Sequence, residues 1–278
     1  MRPLTLTLTL TLTLTLAGTA GADEEIEAHA VPSAALALSG LLATRPRIVA
    51  FGEYHQQKAT AGIPSALKRF TEELLPLLPP ATSDLIVETW VTAGQCGKKE
   101  EKVVTHVEKT TRRPATTEDE VVTLIRRARD AWIKPHILEL SCNEYESLLA
   151  DGDVDYEKLL VLIGRKLAEK ATEILAREKP VARTVAIYGG ALHNDLRPGG
   201  GLEAFSFGPA LDAKVGGKYL EVDLFVPEYL ERDKLVTQEP WYARYRAAAK
   251  PGQAVLVRRG ERSFAIVFPR MKKPAKKR

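Results

Sequence analysis

Four short apolar bursts punctuate the chain: RIVAF (residues 47–51), DLIVE (84–88), HILEL (136–140) and TVAIY (184–188). Each is rich in Val and Ile, and longer amphipathic stretches separate them. Strands buried on both faces of a parallel sheet read this way, with the amphipathic stretches as crossover helices. Between the first two bursts, Leu67, Phe70, Leu74, Leu75 and Leu78 fall at helical spacing, and Pro79 and Pro80 stop the run. Before the third, Thr117 and Glu120 read as a capping box, followed by Val121, Leu124, Ile125 and Ala128 on one face. Residues 154–178 carry Leu159, Leu160, Ile163, Leu167, Ala171, Ile174 and Leu175 at i, i+3 and i+4 steps, up to Pro180.

Two stretches break the rhythm. Residues 94–116 are polar, charged and weakly periodic, which predicts a surface excursion or lid. NDLRPGGG (194–201) is a loop by its proline and three glycines. Beyond it, KYLEVDLFV (218–226) reads as a strand, PWYARYRAAAK as a short helix, and AVLVRRGERSFAIVF as a hairpin turning near Arg259 and Gly260. In the alternation of the 218–226 strand, Glu221 and Asp223 are expected to face solvent or a helix. The expected fold is α/β: a mostly parallel central sheet flanked by helices, with an antiparallel C-terminal hairpin.

With 45% hydrophobic and 27% charged residues over 278 positions, the chain can bury a substantial core, and one domain over 23–270 is expected. The formal charge of +4 is outweighed by Arg2 and by Lys272, Lys273, Lys276, Lys277 and Arg278, so the body is mildly acidic. No basic stripe is interleaved with aromatics, which argues against a nucleic-acid partner. Residues 271–278 read as a flexible basic tail.

The first 22 residues have a basic start, an uncharged Leu/Thr stretch and small residues up to Ala22, the order of a signal peptide. Export to the periplasm or medium is therefore expected, with no transmembrane span in the mature chain. Cys96 and Cys142 would then meet a compartment that permits a disulfide, and either pairing or two separate thiols fits the sequence. The oligomeric state is left open.

Ligands of open parallel sheets bind outside the carboxyl ends of the strands. After the first burst stand Gly52, Glu53, Tyr54 and His55; the second ends on Glu88; the third ends with Glu139 and Ser141. After the fourth come Gly190, Ala191, Leu192, His193, Asn194 and Asp195. GEYH and GALH share the frame Gly-x-x-His, in which glycine lets the chain turn and the histidine reaches over the sheet edge. Glu53, His55, Glu88 and His193 are therefore the candidate catalytic residues. His55, His193 and Glu88 are candidate ligands of a divalent metal, and Tyr54, Asn194 and Asp195 candidate ligand-binding residues. Imidazole with carboxylate suits either a metal or proton transfer near neutral pH. His29 and His106 read as surface groups, and His136 lies at the wrong end of its strand.

Strand-GEYH, the glutamate of DLIVET and strand-GGALHND resemble the superfamily that unites ChaN-like proteins, TIKI and TraB proteins and the erythromycin esterases. The resemblance spans the order of elements from about residue 45 to 225. It implies an α/β fold with the site at the strand ends, but its branches imply different chemistry. The TIKI branch implies metal-dependent peptide cleavage with His55 and His193 at or beside the metal. The esterase branch implies water activation by Glu53 and His55, and the ChaN branch implies haem binding. Absence of a lipoprotein cysteine departs from ChaN, and absence of a membrane anchor departs from TIKI. The expected function is an exported hydrolase that activates water to cleave a peptide or ester bond in a peptide or small-molecule substrate. The alternative is a haem- or metal-binding protein using Tyr54, His55 or His193 as axial ligands.

Overall fold

The structure, a computed structural model, describes residues 26–79, 81–150, 153–177 and 183–271. The expected signal peptide and nearly all of the basic tail lie outside the described residues. Ten strands follow in chain order: β1 (Glu27–Val31), β2 (Ile48–Glu53), β3 (Thr82–Ala93), β4 (Lys134–Ser141), β5 (Leu149–Ala150) and β6 (Asp153–Val154), then β7 (Thr184–Gly190), β8 (Tyr219–Phe225), β9 (Ala254–Arg258) and β10 (Ser263–Val267). Eight of them form one sheet in the order β1-β9-β10-β8-β2-β7-β3-β4, while β5 and β6 make a separate small hairpin.

From β10 through β8, β2, β7, β3 and β4 every neighbour is parallel; within this sheet only β9 pairs antiparallel, with β1 and β10. The expected α/β architecture and C-terminal hairpin are therefore present. β1 was not expected, because EAHAV is short and alanine-rich and gains its strand character only by pairing with β9.

The helices are α1 (Ala34–Leu42), α2 (Ala66–Arg69), α3 (Lys98–Thr111), α4 (Thr116–Asp130), α5 (Cys142–Ser147), α6 (Tyr156–Arg177), α7 (Ala191–Asn194), α8 (Gly208–Lys214), α9 (Pro227–Leu230) and α10 (Pro240–Ala248). They cover both faces of the sheet. On one face α1, the 66–78 run and α4 bury Leu38, Leu67, Phe70, Leu74 and Leu124 against Val49, Phe51 and Tyr188. On the other, α3, α5, α6 and α8 bury Val103, Tyr145, Leu159, Ile163 and Leu167 against Ile48, Ala50 and Ile187. Trp241 and Tyr245 of α10 close the end of the sheet on Val255 and Val257. Among the described residues no helix is long and apolar enough to cross a membrane.

Two local expectations are corrected. The 64–78 run buries the residues its periodicity marked, but α-helix ends at Arg69 and gives way to a π turn (Phe70–Leu74) and a 3-10 turn (Leu75–Leu77). Pro76 has no N–H with which to continue an α-helical ladder. Thr117 and Glu120 form no capping box; the cap of α4 is Ala115, and Glu120 instead accepts a 2.5 Å hydrogen bond from the hydroxyl of Ser65. Residues 94–116 are largely the helix α3. Its Val103 is buried on one face of the sheet and Leu124 of the following α4 on the other, so this segment crosses from face to face. A disulfide between Cys96 and Cys142 fastens its start to the end of β4.

β2 lies between β7 and β8, and the chain leaves β7 to enter β8 on the far side of β2. Segments leaving the ends of β2 and β7 therefore depart to opposite faces, the kind of switch point at which ligands of such sheets bind.

Candidate active site

β2 alternates faces residue by residue, so Glu53 points to the same side as Val49 and Phe51. There it is buried, with only 6% of its side chain exposed. Its Oε2 accepts a 2.7 Å hydrogen bond from the hydroxyl of Tyr188 on the adjacent β7. Its Oε1 lies 2.6 Å from Nδ1 of His55 and 3.6 Å from the guanidinium of Arg113. Burial pushes the carboxyl upward, but the charge and hydrogen bond of His55, the charge of Arg113 and the Tyr188 bond outweigh it, lowering its pKa to about 2. Burial first, then the charge of Glu53, raises Tyr188 well above the ordinary phenol range, so its proton stays in the bond.

The second half of the site belongs to the other face. β3 carries a bulge against β4 between Val87 and Trp90, and Glu88 sits in it. Freed from the ladder, its Oε2 accepts a 2.5 Å hydrogen bond from the backbone N–H of Gly190, and its Oε1 lies 3.9 Å from Nε2 of His193. His193 is on α7 and almost fully buried. Its Nδ1 donates to the carbonyl of Phe205 at 2.9 Å, which leaves Nε2 for Glu88. Helix α6 lets the ring in at Gly164, where an added Cβ would stand 3.4 Å from Nδ1 of His193.

The halves meet above Gly190. A Cβ there would stand 2.9 Å from Nε2 of His55 and 3.5 Å from Oε2 of Glu88, so an absent side chain keeps the space between imidazole and carboxylate open. Glu53, His55, Glu88 and His193 thus share one rim.

Sequence reasoning missed two members of this site. Arg113, between a left-handed Arg112 (φ 50°) and Pro114, places Nη2 at 2.6 Å from Nδ1 and 2.5 Å from Nε2 of His55. The carbonyl of Arg112 accepts from the N–H of Lys58 at 2.9 Å, pinning this turn beside the β2 end. Tyr188 reads in sequence as one more apolar strand residue. Only the tandem RRP, a stop signal at the end of α3, hinted at the first of these.

The other candidate residues have structural partners. The Tyr54 hydroxyl is bonded to Asp233 and its ring leans on Phe225. Asp195 accepts from the N–H of Arg197 at 2.8 Å. Asn194 is buried, donating to Asp223 at 3.0 Å and to the carbonyl of Ala50 at 3.3 Å, while its own carbonyl accepts from Tyr219 at 2.6 Å. His136 lies 2.6 Å from Asp84, away from the rim, and Glu139 is exposed on the edge strand.

Asn194 leads into a second polar cluster. Glu221 and Asp223 face neither solvent nor an exposed helix flank: both are buried, and Arg259 Nη2 bridges them at 2.5 and 2.7 Å. The hairpin brings Arg259 back over β8, a long-range contact that alternation in β8 alone cannot reveal. One guanidinium cannot fully offset two buried carboxylates. Burial and the neighbouring Asp223 charge push Glu221 up to about 8 against the pull of Arg259 and of the Leu196 N–H. Gly52 makes room for this cluster, since a Cβ there would fall 2.5 Å from Oδ1 of Asn194.

Among the described residues no group of three or more His, Cys, Asp or Glu side chains is arranged to hold a metal ion. His55 and His193 each give Nδ1–H to a protein acceptor, which leaves Nε2 on each ring, but the donors His55, His193 and Glu88 are not gathered on one point. The donor set as it stands does not fit a metal.

No protein family model matches the chain, and no curated protein matches it. Among solved structures it is similar to the type III effector HopBA1, at 13% identity and a TM-score of 0.43, over 90% of this chain and 100% of that one.

Proposed function

We propose that this protein is a hydrolase in which a Glu53–His55 dyad activates water against an ester or amide carbonyl. The observation that carries this reading is the 2.6 Å contact between His55 Nδ1 and a buried carboxylate that Tyr188 holds from its other side. A carboxylate so placed fixes the tautomer with Nδ1 protonated and turns Nε2 toward the rim as the base, the logic by which acid–imidazole pairs work elsewhere.

In the proposed reaction Nε2 of His55 takes a proton from water as its oxygen adds to the carbonyl carbon. The carbon–heteroatom bond then breaks, and the proton returns from His55 to the leaving oxygen or nitrogen. Glu53 stabilises the imidazolium between the two transfers. His193, held by the Phe205 carbonyl, forms with Glu88 the wall of the site beside the dyad. No step runs through a metal or haem. The resemblance to the erythromycin esterase branch supports the roles of Glu53 and His55. Pairing of Cys96 with Cys142 supports an oxidising compartment and hence the exported location.

The test is turnover on a panel of 4-nitrophenyl esters and fluorogenic peptides. His55→Gln and Glu53→Gln should each lower kcat by roughly 10²- to 10⁴-fold, the usual worth of a positioned general base. Full rates in both variants, or no cleavage of any ester or peptide by the wild type, would overturn the reading.

A further inference from the structure

The end of the sheet opposite the rim has a charge pattern of its own. β8, β2 and β7 each begin directly after a cation, Lys218, Arg47 and Arg183, and β4 begins on Lys134. The register sets these beginnings level: Ile48 is beside Tyr219 and Val185, and Asp84 is beside Val185 and Lys134. Cations in the last turn of a helix answer its macrodipole, but these four precede strands, whose dipoles are small. Lys134, Arg183, Lys214 and Lys218 are exposed, and Lys214 and Lys218 have no ion pair among the described residues. With Arg47 these two lysines line a recess of about 650 Å³, together with Leu175 and Val215 and with no carboxylate. Of the acids nearby, Asp84 lies 2.6 Å from His136, Asp212 is bonded to Arg262, and Glu173 is shared by Lys170 and Arg177. Asp130 is outnumbered by Arg127 and Arg129 on its own turn.

Trp132 stands at the same end. The N–H of Ile133 donates to the carbonyl of Ala128 at 2.9 Å and that of Trp132 to the carbonyl of Arg129 at 3.0 Å, a Schellman turn that closes α4. Trp132 fills the left-handed position of this turn (φ 61°), where glycine is usual, and it is 93% exposed. Packing therefore does not explain a large apolar ring two residues before Lys134. An indole with cations alongside suits the interface of a bilayer, where the ring lies at headgroup level and the cations meet lipid phosphates. Nucleic acid is the weaker match: Trp132 is the only exposed aromatic among the described residues, and a run of bases needs several on which to stack.

We propose that this end of the sheet docks on an anionic lipid bilayer, with Trp132 in the headgroup layer and the row from Lys218 to Lys134 against the phosphates. The opposite end, with Glu53, His55, Glu88 and His193, then faces away from the membrane and stays open to solvent. This inference is independent of the hydrolytic reading.

Cosedimentation of the full chain with vesicles tests it, comparing phosphatidylcholine alone with phosphatidylcholine and phosphatidylglycerol in equal parts. Binding should require the anionic lipid, weaken with added salt and shift tryptophan emission to the blue. Lys214→Gln combined with Lys218→Gln should lower the partition coefficient by about 10- to 30-fold, the worth of two cations at a charged surface. Trp132→Gly, which suits the left-handed backbone and so keeps the fold, should lower it by roughly tenfold and abolish the blue shift. No binding to anionic vesicles, equal binding to neutral ones, or full binding in both variants would overturn the proposal. Replacing Lys272, Lys273, Lys276 and Lys277 by Gln separates the basic tail from the sheet: loss of all binding there, with the other variants unaffected, also overturns it. Capture of single-stranded DNA as tight as that of anionic vesicles, without a blue shift, would assign the row to a nucleic acid and overturn the bilayer.

Discussion

GEYH and GALH are the same pattern at the ends of neighbouring strands, yet the fold treats them differently. His55 follows a strand whose last residue is a buried carboxylate, and 31% of its side chain remains exposed at the rim. His193 is on a short helix, only 3% exposed, and held by a backbone carbonyl. One imidazole reaches the rim, while the other is set into the wall. Like motifs therefore mark like positions in the sheet, and the neighbours that arrive from elsewhere in the chain determine what each position does.

The sharpest way to break the comparison is through the glycines. Gly52→Ala places a Cβ 2.5 Å from Asn194 Oδ1 and 2.7 Å from the Ala191 backbone, where little can yield, and should cost roughly 1–3 kcal/mol or more in chemical denaturation. Gly190→Ala meets the half-exposed ring of His55 instead, so its effect should appear chiefly as lost turnover. Equal losses of stability would show that the two turns are equally rigid.

A second probe is His193→Ala. It orphans the part-buried Phe205 carbonyl and should cost about 1–3 kcal/mol by calorimetry, with any cavity adding to that. A melting curve like that of the wild type would mean that His193 is not part of the wall.

The smallest effect is in the pH dependence of stability. Glu53, lowered from its usual 4.5 to about 2, contributes stability that is present above pH 4.5 and is lost as pH falls toward 2. Glu221, raised to about 8, acts in the opposite sense: the folded state keeps its proton while the unfolded state releases it, so stability falls as pH rises from 4.5 through 8. His55→Gln removes the largest charge that holds Glu53 down and should flatten only the acid limb. Glu221→Gln should flatten only the alkaline limb. Urea melts across this range read both, and a variant that alters both limbs would show the two clusters to be coupled through the 190–196 loop.

Much of this architecture was legible because strand burial and helix amphipathicity are local and periodic. The bursts at 47–51, 84–88, 136–140 and 184–188 are strands, and Leu67, Phe70, Leu74, Leu75 and Leu78 are buried as their spacing demanded. Convergence of Glu53, His55, Glu88 and His193 was legible too, because parallel strands deliver the residues that follow them to one edge. Arg113 was not, since a polar stretch without an apolar stripe says nothing of where its end comes to rest. Nor was the burial of Glu221 and Asp223, whose compensating Arg259 arrives from a hairpin 36 to 38 residues on.

By itself, then, the order of apolar bursts and glycine punctuation determined an α/β sheet with a polar rim, since those signals are read within a few residues. Tertiary structure alone decided that Glu53 is locked between Tyr188 and His55, that Arg113 covers the imidazole, and that Cys96 meets Cys142. Each of these is a contact between segments far apart in the chain, and its strength depends on burial that no local pattern encodes.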